Sequence, residues 1–138
     1  YSSSVTTKLV SSYAWDTAIA FIQKTNSDYG NSSEEGNYRD TTFTYTDIKG
    51  TDQIKEKEEN GQGRLIPTGQ TTAVNNIYDM GGNVWEWTTE SRESSTSYPY
   101  TRRGGSCFSG FAGYPAGYRF DDSDRARGDS GFRLTLFL

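Results

Sequence analysis

Between Asn75 and Trp87 the chain reads Asn-Asn-Ile-Tyr-Asp-Met-Gly-Gly-Asn-Val-Trp-Glu-Trp, and no other stretch restricts its folding so strongly. Two tryptophans flank a glutamate directly after a glycine pair, so aromatic anchors and an oxygen-donor cluster share one short, rigid segment. Residues 84–88 have the two-residue alternation of a strand, which puts Trp85 and Trp87 on one face and Val84 and Glu86 on the other.

One helix precedes this segment. Over residues 12–25 the apolar positions Trp15, Ala18, Ile19 and Ile22 recur at i, i+3, i+4 and i+7, one stripe of an amphipathic helix. Ser11 or Ser12 is placed to cap its start, Asp16 to favour its first turn and Lys24 its C-terminal end. Residues 26–40, rich in Asn, Ser, Gly and Glu, read as a surface loop, and 42–46 alternate like a short strand. The charged run 55–60 has no apolar stripe and reads as solvated helix or loop. At the C-terminus Phe132, Leu134, Leu136 and Leu138 alternate with Arg133, Thr135 and Phe137, the pattern of a buried strand. Loops longer than about 12–15 residues are uncommon unless functional, yet here irregular chain is the majority.

A chain of 138 residues suits a single domain, 1–138, with a real core. Its start at Tyr1 rather than Met equally suits the C-terminal domain of a longer protein. Ten Tyr, seven Phe and three Trp compensate for sparse aliphatic residues, and fifteen Gly against three Pro argue for a loop-rich α+β fold over a helical bundle. The absence of histidine excludes His-based acid–base catalysis, Ser-His-Asp triads and His-ligated iron or zinc. One cysteine gives no internal disulfide framework. A net charge of −4 gives no reason to expect nucleic-acid binding, and no apolar run approaches the roughly 20 residues of a membrane span.

The segment Met80-Gly81-Gly82-Asn83-Val84-Trp85-Glu86-Trp87 is similar to the "GNVWEW" signature of the formylglycine-generating enzyme (sulfatase-modifying factor) family. Leu9-Val10-Ser11-Ser12-Tyr13-Ala14-Trp15-Asp16 resembles that family's "RLPTEAEWE" entry into its helix, with Trp15 at the tryptophan position. Arg103-Gly104-Gly105-Ser106, Tyr118-Arg119 and Gly131-Phe132-Arg133 match its remaining landmarks in order. The resemblance implies a C-type-lectin-like fold: small antiparallel sheets, one or two helices and long loops. It also implies scaffold roles for Arg103, Arg119 and Arg133, while Trp15, Trp85 and Trp87 are expected to pack beneath the loops.

In the family, oxidation of a substrate cysteine to formylglycine uses two cysteines five residues apart, just after the Gly-Gly-Ser motif. The equivalent positions here are Ser109 and Tyr114, which supply neither a thiolate nor a copper ligand. Cys107 has no second thiol, and a related branch's His/His/Glu iron site has no histidine to build it. No iron, copper or haem is therefore expected, and the chain is expected not to be an enzyme. The resemblance further assigns a calcium position to the Asp79 carboxylate, the Gly82 and Val84 carbonyls and the Glu86 carboxylate. Two carboxylates with turn carbonyls are the hard oxygens that such an ion takes; the alternative is that both carboxylates simply accept hydrogen bonds from nearby amides.

Once scaffold motifs are set aside, Cys107, Phe108, Ser109, Phe111, Tyr114, Phe120, Asp121, Asp122, Asp124 and Arg125 remain as candidate ligand contacts. Aromatics amid small and charged residues have the make-up of a recognition surface. Short, non-catalytic members of the family occur in gut bacteria and their prophages, and some lectin-fold relatives display variable C-terminal loops. The resemblance thus implies a ligand-binding or virion-surface display module, such as a phage tail- or capsid-associated receptor-binding domain. Its partners would be protein or carbohydrate on a cell surface, or other virion proteins; its location would be virion or extracellular, and it could be a homo-oligomer. The alternatives are a structural capsid or tail decoration domain and a sulfatase-modifying-type oxidoreductase that uses other residues.

Overall fold

The computed structural model describes residues 6–31, 33–58, 62–71, 73–92, 95–123 and 125–137, with backbone alone for 136 and 137. A short strand, β1 (Thr6–Leu9), leads into the helix α1 (Ser12–Ile22). Ser11, in extended conformation, caps α1 by accepting the Ala14 N–H at 3.1 Å. Trp15, Ile19 and Ile22 face inward and join Val10, Tyr29, Met80 and Ala116 in the core. Two sequence expectations fail here. Asp16 lies past the first turn and instead pairs with Arg103 and Arg119, while Lys24 lies beyond the helix end and sits 5.8 Å from the Phe21 ring. The helix is held by its buried stripe and its cap, not by charges at its ends.

Seven more strands follow among the described residues: β2 (Phe43–Thr46), β3 (Asp52–Lys55), β4 (Trp85–Ser91), β5 (Tyr100–Arg103), β6 (Arg119–Asp122), β7 (Ser130–Phe132) and β8 (Leu134–Phe137). They form two ribbons, β1–β8 and β2–β3, and a four-stranded sheet ordered β6-β5-β4-β7. Within that sheet β7 runs parallel to β4 and the other pairs are antiparallel. The α+β class and the small sheets are as the sequence implies.

The C-terminal run is not one buried strand. Arg133 divides it between two sheets, and Phe132 and Leu134 are 64% and 55% exposed. The side chain that turns inward is Arg133 itself, which hydrogen-bonds Glu86, so Phe132 and Leu134 on either side of it face out. Leu138 lies outside the described residues. The charged run also departs from expectation at its first residue. Lys55 is fully buried at the end of β3, and its ammonium donates to the carbonyls of Thr41 at 2.7 Å, Arg39 at 3.1 Å and Tyr38. Burial lowers its pKa. Residues 26–40 are likewise no simple surface loop, since Tyr29, Asn37 and Tyr38 are buried.

Residues 36–37 pass directly over the 81–83 turn. Gly82 has φ +71°, and a Cβ there would lie 2.4 Å from the Asn37 carbonyl oxygen, so only glycine permits the crossing. Asn83 next to it has φ +59° and ties four segments together. Its N–H donates to Asn37 O at 2.8 Å, and its carbonyl accepts from Cys107 N–H at 3.0 Å. Its side-chain oxygen accepts from Ile66 N–H and from the Asn37 amide, and its own amide donates to Ile66 O, all at 3.0–3.1 Å. Replacing Asn83 by alanine is expected to cost about 2–4 kcal/mol through orphaned buried polar groups and left-handed backbone. Asn83→Gly should recover about 1 kcal/mol of that by relieving the backbone alone; urea unfolding midpoints of both variants measure the split.

Candidate functional site

The two carboxylates expected to hold calcium are each engaged by donors of the chain itself. The Asp79 carboxylate accepts the Gly69 N–H on one oxygen and the Thr71 hydroxyl on the other. Glu86 faces Arg133, whose Nε and Nη2 reach its two oxygens at 2.9 and 3.0 Å. Nη2 of Arg133 also donates to the carbonyls of Tyr78 and Asp79, at 3.0 and 3.2 Å. A guanidinium thus takes both oxygens of one of the two carboxylates that the sequence assigned to an ion. The set of six to eight oxygens around one point that calcium requires is not assembled, and the residues as arranged do not fit it. No group of three or more His, Cys, Asp or Glu able to hold a metal occurs among the described residues. Burial raises the Glu86 pKa despite the opposing Arg133 charge, so its carboxylate depends on that arginine. Chelator should therefore leave the melting temperature unchanged. Arg133→Ala should cost about 2–3 kcal/mol, the loss of a buried pair discounted for the partial exposure of the arginine; thermal melts with and without EDTA test both statements.

Cys107 is wholly buried, and burial pushes its thiol up to about 11. A thiol held protonated at neutral pH is a poor nucleophile. Ser109, at the position of the family's first cysteine, is also buried, with its hydroxyl 3.3 Å from that of Ser106. Tyr114, at the second, is partly exposed and packs edge-on against Trp85 at 5.7 Å.

The register of the four-stranded sheet sorts its side chains. Trp87 pairs with Arg102 and Phe132, Arg102 with Phe120, Tyr100 with Asp122, and Trp85 with Ser130, so all of these share one face. The opposite face carries Glu86 and Arg103, where the fully buried Arg103 pairs with Asp16 on α1 and lies 5.9 Å from the Trp15 ring. The successive residues Arg102 and Arg103 therefore serve opposite sides. Arg102 is buried in an aromatic nest, 5.3 Å from Trp85, 5.4 Å from Trp87 and 5.2 Å from Phe120. It pairs with Asp122 and lies 3.6 Å from Asp129.

Segment 123–129 joins β6 to β7, which stand at opposite edges of the sheet. It is tied to the aromatic face by Arg127 to Asp122 at 2.9 Å and by Asp129 to Arg102. Two clefts flank it: one of about 370 Å³ reaching Trp87, Tyr100 and Arg125, and one of about 510 Å³ reaching Tyr98, Phe120 and Asp121.

The candidate contacts thus divide. Phe108 (44% exposed), Tyr114 and Arg125 reach solvent, and Phe111, Phe120 and Asp121 are half-buried. Phe111 packs on Tyr38 at 6.4 Å, and Asp121 pairs with Arg92. Cys107, Ser109 and Asp122 are inside and act as supports; Asp124 lies outside the described residues. Trp87, Tyr100 and Phe132 belong to the accessible face, though the sequence reading placed Trp87 beneath the loops. The signal was the period-two pairing of Trp85 with Trp87, which put both on one face without saying how deeply each is covered.

Burial pushes the Asp122 pKa up, but hydrogen bonds from Arg127 and the Ser123 N–H, with the charges of Arg102 and Arg127, outweigh it and hold the group below its ordinary 3.8. The ionised form then contributes stability that is present above the unfolded value and lost as pH falls through the lower folded one. Asp122→Asn should lower the neutral-pH melting temperature and flatten the fall in stability below about pH 4, as followed by melts from pH 2 to 7.

Among curated proteins none matches the chain. The family described as Sulfatase-modifying factor enzyme 1-like domain matches residues 3–136, nearly the whole sequence. With the expected α+β architecture and the Gly-Gly-Asn turn at its centre, the chain belongs to that sulfatase-modifying factor family.

Proposed function

We propose that this member of the family is a non-catalytic ligand-binding module, displayed on a virion or extracellular surface, whose recognition surface is the aromatic outer face of the four-stranded sheet with its covering loops. The carrying observation is that face. A largely antiparallel sheet with one side on the core ordinarily turns polar residues to water; here Trp87, Tyr100, Phe120 and Phe132 stand there instead, extended by the partly exposed rings of Tyr114 and Tyr118, which pack against Trp85. Exposed aromatic groups held rigidly are characteristic of binding surfaces. Arg102 holds the rings in place, so the surface is formed before a partner arrives.

Support also comes from the positions where the family resemblance places its chemistry. Ser109 and Tyr114 occupy them, and the nearby Cys107 thiol is enclosed. No step of formylglycine formation is written for this chain.

The test pairs two measurements. The labelled chain should bind intact bacterial cells, and Phe132→Ala with Tyr114→Ala together should weaken binding at least tenfold while lowering the melting temperature by only a few degrees. Conversion of a thiol-bearing peptide to formylglycine by purified protein with copper would overturn the reading in favour of an oxidoreductase. Absence of cell binding, together with the chain's presence in purified particles, would favour a decoration domain.

A further inference from the structure

We infer that the cleft between Trp87, Tyr100 and Arg125 binds an acidic sugar, a uronic or sialic acid residue, in a site that rests on the ligand-binding reading above. The cleft has an apolar lining of Leu9, Trp87 and Ala126, with Tyr100, Thr88 and Arg125 completing it. Its volume of about 370 Å³ lies at the small end of ligand pockets and accommodates one or two pyranose rings. The Trp87 and Tyr100 rings stand 6.3 Å apart at 87°, forming an aromatic corner. One apolar C–H face of a pyranose stacks on such a ring, while its hydroxyls stay at the rim.

The polar groups of the corner specify charge. The Trp87 indole N–H, the Tyr100 hydroxyl and the Arg125 guanidinium have no hydrogen-bond or ion-pair partner among the described residues. The Thr88 hydroxyl is already committed to the Thr101 carbonyl at 3.1 Å. None of the described lining residues is acidic, and the described carboxylates nearby, Asp121, Asp122 and Asp129, lie against Arg92, Arg127 and Arg102. In a chain of net charge −4, this cleft has a guanidinium without a partner and no acidic side chain among its described lining residues. It complements a ligand that brings acceptors and one negative charge. A planar carboxylate matches the guanidinium fork with two parallel hydrogen bonds. An aspartate or glutamate side chain would meet the fork equally well but offers only one or two methylenes to the two rings, whereas a sugar acid fills the corner and the fork together.

The test is calorimetric titration of the chain with a glucuronate-terminated tetrasaccharide and with 3′-sialyllactose, against lactose and an oligo-glutamate peptide. The expected result is saturable binding of at least one acidic saccharide, at least tenfold weaker binding of lactose, and weakening as salt rises. Arg125→Ala and Trp87→Phe should each lower acidic-saccharide affinity at least tenfold, and Arg125→Ala should leave the melting temperature within about 2 °C of the parent, as is usual for an exposed side chain. Four outcomes would overturn the inference: equal affinity for lactose, binding of oligo-glutamate in preference to saccharide, acidic-saccharide binding unmoved by Arg125→Ala, or no saccharide binding at all. The broader ligand-binding reading fails separately, on loss of cell-surface capture.

Discussion

Four separate stretches of this chain meet at one peptide in left-handed conformation. Asn83 takes φ +59° immediately after a glycine that has no room for a Cβ, and both sides of its backbone and of its amide are used. A fold with short strands and few aliphatic residues cannot rely on a large apolar core for uniqueness. It fixes its loops by directional bonds to a single buried side chain, and the strand that starts two residues later inherits its position from that junction. Trp85, Glu86 and Trp87 are aimed because Asn83 is held.

Arginine supplies the second level of organisation. Arg102, Arg103 and Arg133 each bridge elements that no continuous sheet or helix connects: Arg102 joins the outer sheet face to its covering segment, Arg103 joins β5 to α1, and Arg133 joins the C-terminal strands to the 78–79 turn. A guanidinium suits this work because its five donors lie in a plane and its faces accept aromatic rings. Burial lowers the pKa of Arg102 and Arg103, which marks the desolvation that these contacts offset. Truncating Arg102 or Arg133 removes a partner from a buried carboxylate, Asp122 or Glu86, which is why these two carry more of the stability than their surface-facing counterparts.

Much of this architecture was legible in the sequence. The helix followed from the spacing of Trp15, Ile19 and Ile22, the central strand from the alternation around Glu86, and the family from five ordered motifs. The errors share a cause. Lys55 sits in a run of charges and Arg133 interrupts an apolar alternation, and a pattern based on hydrophobicity sends both outward. Their heads found carbonyl and carboxylate oxygens that are distant in sequence, a circumstance invisible to any local rule. The same limit explains the candidate contacts: Cys107, Ser109 and Asp122 lie in the segment proposed from sequence, but they are enclosed by contacts with Asn83, with Ser106 and Arg39, and with Arg102 respectively.

The order of strands in the main sheet has a consequence for how this surface can change. Because β6 and β7 occupy opposite borders, the seven residues between them must bridge the full width of the sheet, and among the described residues they are tied to it by the Arg127–Asp122 and Asp129–Arg102 ion pairs and by the Trp85 N–H, which donates to the Asp129 carbonyl at 2.8 Å. Lengthening a surface connection costs little, about 0.6 kcal/mol for each doubling. The span can therefore be rewritten in length and composition while the strands beneath keep their register, giving a protein of this shape one replaceable component at its surface.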